Sequence, residues 1–254
     1  MRYLILSDIH ANLEALDATL AAAGPHDHVL VLGDLVGYGA DPNPVIDRIR
    51  ALPETTIIRG NHDKVAVGID DARAFNRLAR HAIAWTADAL TAENSAWLAA
   101  LPAGPVLVDP QVEICHGAPF DEDCYIFDDL DATRALRTAR ALLCLFGHTH
   151  VPAAYELGAP GAKSQRGVDQ LSVIAPPRGS AFQMVLAPDR RYLVNCGAVG
   201  QPRDGNPHAA FGVLDLKALT LTTRRVPYDV ERAQAKILAA GLPEMLAQRL
   251  AAGR

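Results

Sequence analysis

The sequence predicts an α/β fold built around a parallel sheet, on three observations. Short apolar runs near the amino terminus alternate with stretches of helical spacing, those runs break off abruptly into polar residues, and the breaks carry five of the nine histidines. Strands that alternate with helices pair in parallel because a parallel connection must cross over, and a helix fills the crossover. With 254 residues, half of them hydrophobic and 21% charged, the chain can bury a full core and is neither disordered nor collagen-like.

The elements follow in order. Residues 3–6 run into Ser7-Asp8, after which Leu13, Leu16 and Leu20 mark a helix that Gly24-Pro25 stops. Residues 29–32 end in Gly33-Asp34, a second helical segment covers about 44–52, and residues 56–58 end in Arg59-Gly60-Asn61-His62-Asp63. Residues 72–101 have helical spacing throughout, with Phe75, Leu78, Ile83, Trp85, Leu90, Trp97 and Leu98 as the expected buried side chains. This segment is expected to cover part of the site, its tryptophans serving ordinary helix packing. Two further apolar runs, 112–115 and 142–146, end in His116-Gly117 and Gly147-His148-Thr149-His150.

From 151 to 227 short apolar runs alternate with glycine and proline, as in Gly158-Ala159-Pro160-Gly161 and Pro176-Pro177-Arg178-Gly179, a texture of antiparallel hairpins. Ile237, Leu238, Leu242, Met245, Leu246 and Leu250 mark a final helix pair, split at Gly241 with Pro243 placed to open its second member. With no repeat and no long linker, residues 1–254 read as a single domain, with 72–101 as a helical insertion and 228–254 as carboxy-terminal helices.

Charge and cysteine content narrow the function. A net charge of -5, from 24 basic and 29 acidic residues, argues against a surface that coats nucleic acid. It leaves room for a small anionic substrate, because a bound metal can supply local positive charge. Cys115, Cys124, Cys144 and Cys196 form no C-x-x-C pair and read as reduced thiols. The first residues hold too short an apolar stretch for a signal peptide and no run reaches the roughly 18 apolar residues of a membrane span, so a cytoplasmic protein without membrane contact is expected.

The strand ends read Asp8-x-His10, Gly33-Asp34, Gly60-Asn61-His62-Asp63, His116-Gly117 and Gly147-His148-x-His150. Ligands of open α/β sheets bind outside the carboxyl ends of the strands, so these distant residues are expected to converge there. Carboxylates, an amide and imidazoles, with no thiolate, suit Mn, Fe, Zn, Co or Ni better than a structural zinc or a calcium cage. Asp8 and His10, two apart on the continuation of a strand, are expected to point the same way through the pleat, and His148 and His150 share that spacing. Seven ligands exceed what one ion takes while keeping a place for water. Two ions sharing a carboxylate are the simpler solution, with Asp34 as the bridge. Alone, Asp-x-His or Gly-Asp says little, but Gly60-Asn61-His62-Asp63 arises by chance in roughly one chain in a thousand of this length. His26, His28, His81 and His208 fall outside the cluster and are assigned to surface or packing roles.

Together these blocks resemble the calcineurin-like metallophosphoesterase superfamily, whose pattern is D-x-H, G-D, G-N-H-[ED], H and G-H-x-H. The motifs span about residues 1–150, and Ser7-Asp8-Ile9-His10-Ala11-Asn12 and Gly33-Asp34-Leu35-Val36-Gly37-Tyr38-Gly39 are most similar to its small bacterial phosphodiesterase branch. The resemblance implies a four-layer α/β/β/α sandwich with two mixed sheets. It implies two divalent ions, manganese first and Fe, Zn, Co or Ni as alternatives. Asp8, His10, Asp34 and His150 would hold one ion, and Asp34, Asn61, His116 and His148 the other. His62 would stand without an ion beside the leaving oxygen, as a protonated general acid. The implied activity is hydrolysis of a small phosphodiester or nucleotide through a metal-bridging hydroxide. A dinucleoside polyphosphate hydrolase or nucleotide phosphatase, and a non-catalytic scaffold of the same fold, are the alternatives.

Some residues depart from the family. Its phosphoprotein phosphatases follow Gly-Asp with an Asp-Arg-Gly block, where this chain has Gly37-Tyr38-Gly39, which disfavours a phosphoprotein substrate. Asn195-Cys196-Gly197-Ala198 stands where close relatives read Asn-Pro-Gly-Ser, with Cys196 read as a buried inert thiol. Arg203 either reaches a second phosphate or occupies a solvent-facing turn, and Tyr38 either stacks on a base or caps the core. The acidic stretch 121–131 lacks the glycine and terminal glutamate of a calcium loop and reads as a solvated loop ending in a helix cap at Asp131.

Overall fold

The structure, a computed structural model, describes residues 1–158, 171–174 and 181–254, so the turns expected at 159–161 and 176–179 lie outside the described residues. The amino-terminal part runs β1 (Arg2–Leu6), α1 (Leu13–Ala22), β2 (His28–Val31), α2 (Pro42–Arg50), β3 (Thr55–Ile57) and α3 (Asn61–Ala66). Helices α4 (Arg77–Ala89) and α5 (Ala92–Ala99) follow, then β4 (Val106–Asp109), β5 (Val112–Ile114), α6 (Asp129–Thr138) and β6 (Leu143–Phe146). The rest comprises β7 (Ala153–Leu157), β8 (Leu171–Ile174), β9 (Phe182–Val185), β10 (Arg191–Asn195), β11 (Ala209–Asp215), β12 (Thr220–Val226), α7 (Val230–Ala239) and α8 (Glu244–Ala252).

The strands form two six-stranded sheets, ordered β3-β2-β1-β11-β12-β9 and β4-β5-β6-β10-β7-β8. Pairing is parallel within β1-β2-β3 and within β5-β6-β10, and antiparallel elsewhere. Both sheets are therefore mixed. The single parallel sheet that the strand–helix alternation suggests is in fact two parallel segments, one in each sheet. The hairpin texture after residue 151 gives antiparallel pairs, but β10 also inserts parallel to β6.

Period-two alternation builds the layers. Tyr3 and Ile5 of β1, with Leu30 of β2, pack against Val112, Ile114, Leu143, Leu145 and Val194 to form the core between the sheets. Leu4 and Leu6 face the opposite way, joining Val29, Val31, Phe211 and Val213 under Leu16 of α1, Ile46 of α2, Ile83 of α4 and Leu98 of α5. On the far face of the second sheet, Cys144, Phe146 and Leu193 pack under Ala132, Ala135 and Leu136 of α6. The order helix, sheet, sheet, helix is the four-layer sandwich.

Several local expectations change. The 72–101 segment is two helices rather than one, because Leu90 turns extended and the Thr91 side chain accepts from Asn94 N to start α5. Ile83 and Leu98 are buried, whereas Phe75, Leu78, Trp85, Leu90 and Trp97 are half-buried. The final helix pair stands as expected in α7 and α8, where Ile237, Leu242, Leu246 and Leu250 pack against α4 and Tyr38 while Leu238 and Met245 face solvent at 51% and 52% exposure. The cap of α6 is Asp128, not Asp131; its carboxylate accepts from the amides of Leu130 and Asp131.

Phe211 of β11 is 1% exposed, with the Arg224 guanidinium 5.3 Å from its ring. Truncating it opens a cavity between the first sheet and its helices. Phe211→Ala is therefore expected to lower unfolding free energy by about 3–5 kcal/mol, read as a reduced denaturant midpoint; a loss below about 1 kcal/mol would mean that this layer repacks freely.

Candidate metal centre

The two parallel segments end at a common rim, and the motif residues lie just beyond their strands: Asp8 after β1, Asp34 after β2, Asn61 opening α3 after β3, His116 after β5, and His148 and His150 after β6. All eight predicted site residues are buried, none more than 8% exposed. Asp8, His10, Asp34, His148 and His150 have φ of 53°, 48°, 54°, 66° and 60°. Left-handed backbone is uncommon outside glycine, though aspartate and histidine tolerate it better than most, and its cost is held at sites where the surroundings over-determine the conformation. The common direction of Asp8 and His10 thus comes from left-handed turns after the strand, not from the pleat.

Histidine orientation decides what this rim can hold. The rings of His10, His116 and His150 donate from Nδ1 to the carbonyls of Val36 (3.0 Å), Leu32 (2.7 Å) and Gln201 (2.6 Å), which leaves each Nε2 facing inward. His148 is reversed: its Nε2 donates to the Asp123 carbonyl at 3.1 Å, leaving Nδ1 as the free nitrogen. Metal-ligating histidines are commonly fixed by such a bond on the other ring nitrogen. The Nε2 atoms of His10 and His150 lie 3.1 Å apart. With both Nδ1 atoms donating, two lone pairs confront each other, an arrangement that a cation between them relieves.

Two ligand groups emerge: Asp8, His10, Asp34 and His150, with donor atoms all within 4.8 Å of one another, and Asp34, His116 and His148 within the same limit. Asn61 adjoins the second group, its Oδ1 3.1 Å from His116 Nε2. Asp34 is common to both. Its Oδ2 lies 3.5 Å from His10 Nε2 and 3.4 Å from His116 Nε2, while Oδ1 accepts from the His62 amide at 2.9 Å. Gly60 allows this approach, since a Cβ there would stand 2.1 Å from Asp34 Oδ1. Asp8 is fixed by the Ser7 hydroxyl at 2.6 Å, and its Oδ1 is 3.3 Å from His150 Nε2.

Burial holds His10 and His150 well below the ordinary imidazole value and brings His148 down to about 3, so these rings keep the neutral form that metals bind. His116 goes the other way. Burial opposes its charge, but Asp34 and Asp8 outweigh that and push it up to about 10. Asp34 itself lies well below the carboxylate range, since the His116 and His62 rings outweigh the effect of burial. The acids thus retain positive charge even from the chain's own protons, and the donor set fits divalent cations.

His62 makes no side-chain hydrogen bond to the ligands. Its ring lies among His10, Tyr38 and Phe75 at centroid distances of 4.9, 4.5 and 4.4 Å, and its buried Nδ1 has no partner. Burial, opposed by Asp34, lowers it to about 4, so the chain by itself leaves His62 neutral at pH 7; an anion beside the ring favours the charged form. Tyr38, 6% exposed and packed with α4, α7 and α8, takes the core-capping alternative. Arg203 is half-buried, donates to Gln201 Oε1 at 3.0 Å and lies 5.6 Å from the Tyr38 ring.

The segment after β10 locks the rim. Asn195 Nδ2 donates to the Gly147 carbonyl at 2.7 Å, and the amides of Val199 and Gly200 donate to the carbonyls of Ser7 and Asp8, both at 2.9 Å. Burial pushes the Cys196 thiol up to about 12, consistent with an inert role. Cys115 and Cys144 are free thiols too, but not solitary, their sulfurs lying 3.7 Å apart. His26, His28, His81 and His208 stay away from the rim: His28 bonds Thr56 Oγ1 and the other three are exposed.

Sequence reasoning missed one wall of the site. The acidic stretch after residue 120 is not merely solvated. Arg59 donates to both carboxylate oxygens of Glu122, and Lys64, only 6% exposed, reaches Asp123 at 2.5 Å, Asp70 at 3.1 Å and Glu122 at 3.4 Å. These bonds hold the loop against α3, where Tyr125 stacks on His148 with ring centroids 3.7 Å apart. The only sequence signal was opposite charge around Arg59 and Lys64.

A two-sheet sandwich carries clustered, buried aspartates and histidines at its parallel strand ends, a donor set suited to metal ions. The sequence model of the calcineurin-like phosphoesterase superfamily domain matches residues 1–219, and the chain belongs to that family. It is 33% identical over 260 residues to an uncharacterized protein of Methanocaldococcus jannaschii, covering 98% of this chain and 97% of that one. Among solved structures it is similar to a metallophosphoesterase from Sphaerobacter thermophilus, with a TM-score of 0.83, 36% identity and coverage of 100% and 99%. A hypothetical protein from Pyrococcus horikoshii shares the fold, with a TM-score of 0.76, 20% identity and coverage of 100% and 98%. Among the described residues no helix is long and apolar enough to cross a membrane.

Proposed function

We propose that this protein is a dinuclear metal-dependent phosphodiesterase acting on a small phosphodiester or nucleotide. The observation that carries the reading is Asp34 Oδ2, one carboxylate oxygen 3.5 and 3.4 Å from the inward nitrogens of two different ligand groups. Asp8, His10, Asp34 and His150 would hold one cation, and Asp34, Asn61, His116 and His148 the other, manganese being the first choice. When bound, two divalent cations supply the positive charge and the acidification of water that phosphoester hydrolysis requires.

The chain's own residues do the rest. The carbonyls of Val36, Leu32, Gln201 and Asp123 fix the four imidazoles, so little reorganisation is needed when substrate arrives. His62, aligned by Tyr38 and Phe75, presents an N–H to the leaving oxygen, and the charge of a phosphate beside it favours its protonated form. Phe75, just ahead of α4, lies over His62 and in this reading lets the 72–101 segment keep bulk water from the leaving group. Gly37-Tyr38-Gly39 contributes no arginine for the extra charge of a monoester, which favours a diester.

The test strips the protein with chelator, reloads it with Mn, Co, Ni or Zn, and compares initial rates on an aryl phosphodiester, an aryl phosphomonoester and a dinucleoside polyphosphate. The diester is expected to be cleaved fastest, and only after reloading. Preference for the polyphosphate would reassign the substrate to an anhydride, and hydrolysis undiminished by chelation would overturn the metal-dependent reading.

A further inference from the structure

We propose that Arg203 and Arg249 form a subsite for a second anionic group, a phosphate or carboxylate carried on the leaving alcohol of the substrate. This rests on the phosphoesterase reading and names a charge that its substrate bears beyond the scissile phosphate. Both guanidinium groups lie against the Tyr38 ring, 5.6 and 5.9 Å from its centroid. His10 and His62 pack on the same ring at 4.8 and 4.5 Å. The arginine pair therefore stands beside the candidate metal centre, next to the residue assigned to the leaving oxygen.

Three observations carry the assignment. First, neither arginine is paired with an acidic side chain among the described residues. Arg203 donates to the neutral Gln201 Oε1 at 3.0 Å, and Arg249 Nε donates to the main-chain oxygen of Arg254 at 2.8 Å. Asp204, adjacent in sequence, is engaged by Arg225. Asp8 and Asp34 cannot serve as counterions, because in the proposed centre their charge goes to the cations. Second, the two cations are half-buried and close enough to oppose each other: burial, and then the Arg203 charge, hold Arg249 below the ordinary arginine value. Arg203 Nε is a buried donor with no hydrogen-bond partner. Like charges partly withdrawn from water are costly until an anion neutralises them, and the guanidinium fork matches carboxylate and phosphate oxygens. Third, Arg203 is tied to the frame of the centre. The Gln201 carbonyl accepts from His150 Nδ1 at 2.6 Å, and the Arg203 amide donates to the His150 carbonyl at 3.2 Å. The segment that orients a candidate ligand thus also sets the place of Arg203, while α8 brings Arg249 from the far end of the chain.

The experiment measures KM for three methyl aryl phosphodiesters with the metal-reloaded protein, their leaving phenols bearing a para carboxylate, a para phosphonate or a neutral para carboxamide. KM is the readout because the acidity of the leaving phenol also moves kcat. In wild type the charged esters are expected to show a KM roughly 10- to 150-fold below that of the carboxamide. The better of the two charged esters names the natural group. Arg203→Gln and Arg249→Gln should each shrink that ratio and the double variant should bring it close to one, whereas Arg203→Lys and Arg249→Lys should keep part of it. Arg249→Gln, at a half-buried helix position, carries the test by itself where Arg203→Gln fails to fold. Equal KM for all three esters in wild type would overturn the subsite alone. So would a ratio undisturbed by Arg249→Gln and by the double variant, since the arginines would then serve the scissile phosphate or the fold. Failure of the reloaded wild type to cleave any of the three would overturn the phosphoesterase reading together with it.

Discussion

Asp34→Asn is expected to lower phosphodiester turnover by roughly 10³-fold or more and to reduce bound metal from two ions per chain to one or none. The loss follows from where the carboxylate sits. One oxygen faces both His10 and His116, and the other is already held by the His62 amide. An asparagine keeps the shape but removes the negative charge that two cations would share in the proposed centre, and it would turn a neutral oxygen or an NH₂ group toward two imidazole nitrogens. The resulting site would have neither the charge balance nor the paired cations that acidify water. Metal content after desalting, together with initial rates, checks this directly. Two ions retained and a rate within tenfold of wild type would remove Asp34 from the role of bridge.

The same substitution has a signature in the chelated protein. Asp34 raises His116 to about 10, and a histidine whose folded value is raised contributes stability that is full below its unfolded value near 6.5 and is lost as pH rises through about 10. Without the Asp34 charge that contribution shrinks.

His62→Ala is expected to reduce kcat by about 10²- to 10⁴-fold with both ions still bound, the usual contribution of a positioned acid. The separation is possible because no side-chain hydrogen bond ties His62 to the proposed ligands, and its Nδ1 has no hydrogen-bond partner among the described residues. The defect should be larger for substrates with a poorly acidic leaving alcohol than for an aryl ester whose phenolate leaves without help. An equal loss on both substrates would indicate that removing the ring merely loosens Phe75 and Tyr38, which pack on it. Loss of an ion would instead place His62 among the ligands.

The clustering of the candidate metal-centre residues was legible because ligand chemistry restricts the residue types and the strand ends fix their places. Asp8-x-His10, Gly60-Asn61-His62-Asp63 and Gly147-His148-x-His150 could be read as one cluster without knowing which sheet each strand joins. That partition was not legible: β1 and β5 are both short apolar runs, and only packing places them in different sheets. Nor did the pleat argument give the right reason for Asp8 and His10, because left-handed φ is a property of the turn, set by bonds such as that from the His10 amide to the Asp34 carbonyl.

The wall formed by residues 121–127 was the largest omission. Arg59 and Glu122 stand 63 residues apart, and nothing local in either segment selects the other. Helical spacing likewise marked α7 and α8 but not which residues at the margin of a face are covered; Leu238 and Met245 are exposed because that depends on what arrives against the face.

By itself the sequence determined the alternation of strands and helices, the donor atoms at the strand ends and the presence of Gly37-Tyr38-Gly39 in place of an Asp-Arg-Gly block, because these follow from local periodicity and side-chain chemistry. Only the tertiary structure decided that two sheets share the site, that Asp34 Oδ2 faces both ligand groups, that Tyr38 is buried and that Tyr125 reaches His148. Those are distances between segments far apart along the chain, and they are fixed by the burial of both sheets against each other, which no stretch of residues specifies alone.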